Sequence, residues 1–130
     1  MADDYFLSYA HKDGSEFADE LHDELESDGY SMWLDKRDIN TGEIWDESIQ
    51  AGIQSCQVLI FIMTPGSVAS KVCRAEWGYA IDEGKQIFPL YFVDCDIPLL
   101  LRPYNYIDFR EGFDKGIAQL RRQLRKVKKK

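Results

Sequence analysis

Val58-Leu59-Ile60-Phe61-Ile62-Met63-Thr64-Pro65-Gly66-Ser67-Val68-Ala69-Ser70-Lys71-Val72-Cys73-Arg74-Ala75-Glu76-Trp77 is the stretch that decides the fold. Its first six residues form an unbroken apolar run. That pattern is expected of a central strand in a parallel sheet covered on both faces. Thr64-Pro65-Gly66 reads as a turn, and Ser67 or Ser70 supplies a hydroxyl to cap the helix that follows. Ser70, Cys73, Glu76 and Trp77 recur at three- and four-residue steps, so they share one helical face. A buried strand therefore delivers a carboxylate, a thiol and an indole to a helix leaving its mouth. Most helix glutamates are solvated, and an exposed helix face is the expectation for Glu76.

Working outward, Tyr5–Tyr9 reads as a first strand and Ala10–Gly14 as a turn. A helix is expected from about Ser15, with Phe17, Ala18, Leu21 and Leu25 as its apolar stripe and Gly29 as its C-terminal cap. Tyr30–Leu34 reads as the second strand. The Asp35–Trp45 loop is long and polar for a connection at a strand's carboxyl end, and such loops are more often functional than filler. A short helix over 46–54 turns Ile49 and Ile53 inward. After the helix through Glu76, Gln86–Val93 reads as a fourth strand, with a bulge or irregular pairing expected at Pro89, which lacks a ladder donor. Tyr106–Phe109 is a fifth strand, and Phe113, Ile117, Leu120 and Leu124 mark a last helix.

This alternation predicts an α/β, flavodoxin-like three-layer fold: five parallel strands in the order 2-1-3-4-5, with helices on both faces. Ligands of such sheets sit outside the carboxyl ends of strands 1 and 3, where the order reverses. Those ends are Tyr9-Ala10-His11 and Thr64–Ser67, and the 35–45 loop shares their edge.

Composition narrows the function classes. The 130 residues suit one domain, assigned to 1–120, with 121–130 as a basic helix end or the start of a linker. Net charge is −7, unevenly spread: residues 1–120 hold 9 Lys and Arg against 23 Asp and Glu, and 121–130 hold 7 basic residues and no acids. An acidic body disfavours nucleic-acid binding. Cys56, Cys73 and Cys95 show no CxxC spacing, and the start of the chain shows no targeting pattern, so a cytoplasmic setting is expected. No stretch approaches the roughly 20 apolar residues of a membrane span. With His11 and His22 the only histidines, neither a metal site nor a Ser-His-Asp triad is expected. The strand ends lack the acids of a phosphate-accepting receiver domain and the phosphate loop of a flavodoxin. No GxGxxG or P-loop occurs.

The chain resembles the Toll/interleukin-1 receptor (TIR) domain family. The resemblance lies in Asp4-Tyr5-Phe6-Leu7-Ser8-Tyr9 and in Leu34-Asp35 through Gly42, similar to the family's BB loop. It continues through Val58–Met63, Pro65-Gly66, Ser70-x-x-Cys73-x-x-Glu76-Trp77 and Gln86–Leu90. It covers nearly the whole chain. The BB loop here carries Thr41-Gly42 where Pro-Gly is common, Ala10-His11 follow the first strand where some catalytic members have Arg, and the Phe-Trp box of animal members is missing.

The resemblance implies NAD+ cleavage at the nicotinamide–ribose bond, giving nicotinamide with ADP-ribose or a cyclic isomer, activated by self-assembly through the 35–45 loop. The alternative it implies is a non-catalytic scaffold working through TIR–TIR contacts. Glu76 falls on the catalytic glutamate. Tyr9, Ala10, His11, Asp35, Arg37, Gly42, Trp45, Ser70 and Cys73 are the substrate contacts expected around it, with Tyr9 and Trp45 as stacking surfaces. NAD+ enters as substrate, and no cofactor is expected.

Overall fold

The computed structural model describes residues 4–34 and 47–127. The 35–45 loop lies outside them, and with it Asp35, Arg37, Gly42 and Trp45. The strands are β1 (Tyr5–Ser8), β2 (Met32–Leu34), β3 (Val58–Met63), β4 (Gln86–Tyr91) and β5 (Ile107–Asp108). The helices are α1 (His11–Ser27), α2 (Glu47–Ser55), α3 (Pro65–Ala69), α4 (Lys71–Asp82) and α5 (Phe113–Arg125). All strand pairs are parallel, in the order β2-β1-β3-β4-β5, as the alternation predicts. β3 lies at the centre, and all six of its residues are buried.

Side-chain alternation divides the interior into two layers. Tyr5, Leu7, Val58, Ile60 and Ile62 point to α1 and α5, where Leu21, Leu25, Ile117 and Leu120 meet them. Phe6, Leu59, Phe61 and Met63 point to α2 and α4, against Ile49, Ile53, Cys73 and Trp77. Ile49 and Ile53 are fully buried, as their spacing predicts. Arg121 of α5 clamps Asp28 at 2.7 Å and Glu24 at 3.0 Å, fastening α5 to the acidic face of α1. Gly29 adopts φ 93° just past α1, the left-handed conformation that a side chain would resist.

Two local expectations are corrected. Residues 10–14 do not form a turn: α1 already begins at His11, with the Gly14 amide donating to the Ala10 carbonyl. The Asp13-Gly14 pair is spent otherwise. Gly14 lies beside the Tyr9 side chain, and the Asp13 carboxylate reaches across to Thr64 and Gly66 at the start of α3.

The second correction concerns Pro89, which sits in a regular strand, in register with Phe61. Backbone groups alternate sides along a parallel strand. The Gln86 amide donates inward to Gln57, and the Tyr91 carbonyl accepts outward from Phe109. Pro89 shares the parity of Tyr91, so its missing N–H faces outward. Two-residue β5 pairs only Leu90 and Tyr91, so no ladder bond is lost at Pro89. A groove of about 610 Å³, lined in part by Pro89, Leu101 and Tyr104, runs along that side.

Candidate functional site at the switch point

The carboxyl ends of β1 and β3 meet α1, α3 and α4 where the strand order reverses. The segment after β3 is more ordered than a turn. Thr64 caps the five-residue α3: its hydroxyl accepts from the Ser67 amide at 3.1 Å, and its own amide donates to the Ser67 hydroxyl at 2.9 Å. Ser67 also donates to the Ile62 carbonyl at 2.7 Å, closing the segment onto the end of β3. Ser70 then caps α4, accepting from the Cys73 amide at 3.1 Å. Of the two serines considered as caps for the Glu76 helix, Ser70 is therefore the one that serves.

Asp13 fastens this segment to α1. Thr64 donates to its Oδ1 at 2.6 Å, and the Gly66 amide donates to its Oδ2 at 2.8 Å. Asp13 was not among the expected site residues. Its sequence signal, Asp before Gly, is that of a turn.

Glu76 is not on an exposed face. It is 3% exposed, because α4 lays the Cys73, Glu76 and Trp77 face onto the sheet. Ser8, the last residue of β1 and 1% exposed, donates to Glu76 Oε1 at 2.8 Å. Ser8 shares the parity of Phe6 and so faces α4. It too was missed, although a hydroxyl closing an otherwise apolar strand was visible in the sequence.

Cys73 completes the cluster. Burial first, and the Glu76 carboxylate second, push its thiol from 9.0 up to about 12, against smaller opposing effects of hydrogen bonds from Ser70 and Ser8. It is a neutral thiol at ordinary pH and a poor nucleophile. The structure thus brings Ser8, Ser70, Cys73 and Glu76 together.

Tyr9 goes elsewhere. With the parity of Tyr5 and Leu7, it belongs to the α1 layer, on the opposite side of the sheet from Glu76. Its ring lies parallel to His11 at 4.9 Å between centroids. His11 is exposed and Ala10 half-buried at the start of α1. Trp77 is a core residue beside Phe61. Among the described residues no group of three or more His, Cys, Asp or Glu could hold a metal ion. None of the described helices is long and apolar enough to cross a membrane.

A parallel 2-1-3-4-5 sheet with a Ser-capped helix carrying Cys73, Glu76 and Trp77 is the arrangement that the resemblance to the TIR domain family implies. The chain belongs to that family, whose model matches residues 6–121. It is 26% identical over 108 residues to a probable 2′ cyclic ADP-D-ribose synthase, BdTIR, of Brachypodium distachyon. That match takes 83% of this chain and 48% of the plant protein, so the chain spans about half of that relative's length. Among solved structures it is similar to the TIR domain of the Toll-related receptor TRR-2 of Hydra magnipapillata. The TM-score is 0.79 at 23% identity, covering 95% of this chain and 99% of that one. It is also similar to the TIR domains of the activated Roq1 resistosome, with TM-score 0.72 at 14% identity, covering 98% and 100%. At these identities the structural likeness speaks for the fold alone.

Proposed function

We propose that this TIR domain cleaves NAD+ at the nicotinamide–ribose bond, with the Glu76 carboxylate as the catalytic group. The observation that carries this reading is the buried Glu76 carboxylate, hydrogen-bonded by Ser8 at the edge where β1 and β3 end. The plant relative, a probable cyclic ADP-ribose synthase, supports the substrate class.

The chemistry asks little more of the protein. Glycosidic cleavage passes through an oxocarbenium-like state, and most glycosidases need a second carboxyl group to protonate the leaving group. Nicotinamide in NAD+ carries a positive charge and departs neutral, so no acid is required. As the C–N bond breaks, positive charge moves onto the ribose. A fixed carboxylate there stabilises it in a site of low dielectric. Water, or a nucleophile within the ADP-ribose itself, then takes the anomeric carbon and loses a proton, giving ADP-ribose or a cyclic isomer. Ser70 and Cys73 line the same edge as substrate contacts. Asp35, Arg37, Gly42 and Trp45 are assigned to it from the loop after β2, and Ala10 and His11 from the start of α1.

A carboxylate only 3% exposed is not open to a dinucleotide. The edge has to open before catalysis, and we assign that opening to self-assembly through the 35–45 loop. We place the reaction in the cytoplasm, which the three free cysteines support.

The test is nicotinamide release from NAD+ by the purified chain. Specific activity should rise with protein concentration, and Glu76→Gln should lower the rate by about 100-fold or more, the scale of one lost electrostatic stabiliser. A folded Glu76→Gln protein cleaving at the parent rate would remove Glu76 from the mechanism. No cleavage by the parent at any concentration would favour the scaffold reading.

A further inference from the structure

We propose that Ser8 is the positioning residue for Glu76: its hydroxyl fixes the carboxylate as an acceptor and holds it ionised at the mouth of β1. The inference rests on the reading of Glu76 as the catalytic group.

Three observations carry it. The first is placement. β1 is Tyr5-Phe6-Leu7-Ser8, buried at all four positions. A hydroxyl there is costly unless it is bonded, and its partner is Glu76 Oε1 at 2.8 Å, from 68 residues further along the chain. The second is rigidity. β1 is paired on both sides, Leu7 with Leu34 of β2 and Ser8 with Phe61 of β3. The hydroxyl is therefore set by the sheet before any substrate arrives, and a dipole fixed in advance costs no reorganisation during the reaction.

The third is charge. Burial in general disfavours the charged form of a carboxyl group, and a hydrogen-bond donor to the charged form opposes that. Ser8 is a donor of that kind. Cys73, one turn earlier on α4, keeps its proton, and Asp13 of α1 lies close enough to weigh on the same thiol. Asp13 is a second acid, so its charge works against that of Glu76. Tyr79 of α4 and Tyr91 of β4 border the layer. Among the described residues, the apolar side chains that β1, β3 and α2 turn towards α4 include Phe6, Leu59, Phe61, Met63, Ile49 and Ile53. α3 contributes Ser67 and Val68, neither of which titrates.

An anion held in this way stabilises positive charge and does not shuttle protons. If Ser8 acts so, its loss changes the pH at which Glu76 titrates, which a purely structural serine would not do.

The experiment is a carboxyl-carbon NMR titration of the full chain labelled with ¹³C-glutamate. The Glu76 signal is identified by its loss in Glu76→Gln. Ser8→Ala should raise the Glu76 midpoint by about one pH unit, the scale of a hydrogen bond to a charged group. The acid limb of NAD+ cleavage should move up with it while KM for NAD+ holds, and Ser8→Thr should restore both. If Ser8→Ala does not fold, Ser8→Cys, of similar size and a weaker donor, should shift the midpoint in the same direction. A Ser8→Ala or Ser8→Cys midpoint coinciding with the parent's overturns the proposal, whatever happens to the rate. The titration uses no NAD+. A shifted midpoint in a chain that releases no nicotinamide removes the NADase reading and keeps the coupling, whereas an unshifted midpoint in an active chain removes only the role of Ser8.

Discussion

Asp13 leaves no room for a side chain at residue 66. A Cβ on Gly66 would lie 2.6 Å from Asp13 Oδ1 and 2.8 Å from Oδ2, inside any real contact distance. The close approach exists because the Gly66 amide donates to that carboxylate, joining the first turn of α1 to the segment that leads into α4. Gly66→Ala should therefore break the link and cost about 1–3 kcal/mol. In an Asp13→Ala background the obstacle is gone, and the same substitution should cost little. Urea unfolding of the two single variants and the double variant measures this coupling. Additive costs would mean that Asp13 does not govern residue 66.

The burial of Glu76 changes what its replacement does to the fold. A helix-surface Glu→Gln change shifts stability within about 0.5 kcal/mol. Here the amide can still accept from Ser8, but its NH2 stands where a carboxylate oxygen was, in a site built around an anion. Glu76→Gln should cost roughly 1–2 kcal/mol. The denaturation midpoint should fall with the m-value unchanged. An unchanged midpoint would mean that the site does not depend on the charge. Either way the variant's folded fraction has to be known before its NAD+ cleavage is read.

Much of this arrangement was legible in the sequence, for physical reasons. The short apolar run at 58–63, half of it β-branched, favours a doubly covered strand, and the strand–helix alternation around it leaves few topologies. What could not be read depended on partners distant in the chain. Asp13-Gly14 has the form of a turn, and the partners of Asp13 in the first turn of the helix, Thr64 and Gly66, lie 51 and 53 residues away. Pro89 resembles a fault in a strand until the ladder shows that its nitrogen faces outward and that β5 stops short of it. The spacing of α4 showed that Glu76 shares a face with Trp77, but the docking of that face on the sheet decides its burial. Tyr9 and Ser8 differ. The period-two alternation of β1 already sends Tyr9 with Leu7 and Ser8 with Phe6, so the side of the sheet each takes could have been read without a structure.

Gly116 marks where α5 meets β5. A Cβ there would overlap the Phe109 ring. That ring is 3% exposed and held edge-on by Phe17 at 5.1 Å, with Phe113 at 6.0 Å, so it has nowhere to swing. Gly116→Ala raises helix propensity by up to about 1 kcal/mol, yet the overlap should outweigh it and leave a net loss of roughly 2 kcal/mol or more. Thermal unfolding of the single variant decides the sign, and a stabilised variant would show that α5 slides to make space.

Cys73 should make the domain sensitive to alkali. In the unfolded chain its thiol ionises near the ordinary 9.0, while in the folded chain burial and Glu76 keep the proton on until about 12. Between those values the folded state binds more protons than the unfolded state, so stability falls as pH rises. The contribution is complete below 9.0 and is lost as pH climbs towards about 12, with a limiting slope of about 1.4 kcal/mol per pH unit. Burial raises Cys95 and Tyr5 as well, and they add to the same decline. Cys73→Ala removes a buried sulfur and should lower stability at neutral pH by about 1–2 kcal/mol. Its stability should nevertheless fall less steeply above 9.0 than the parent's. Urea unfolding at a series of pH values on either side of 9.0 checks this, and two parallel curves would mean that the thiol ionises as freely in the folded chain as in the unfolded one.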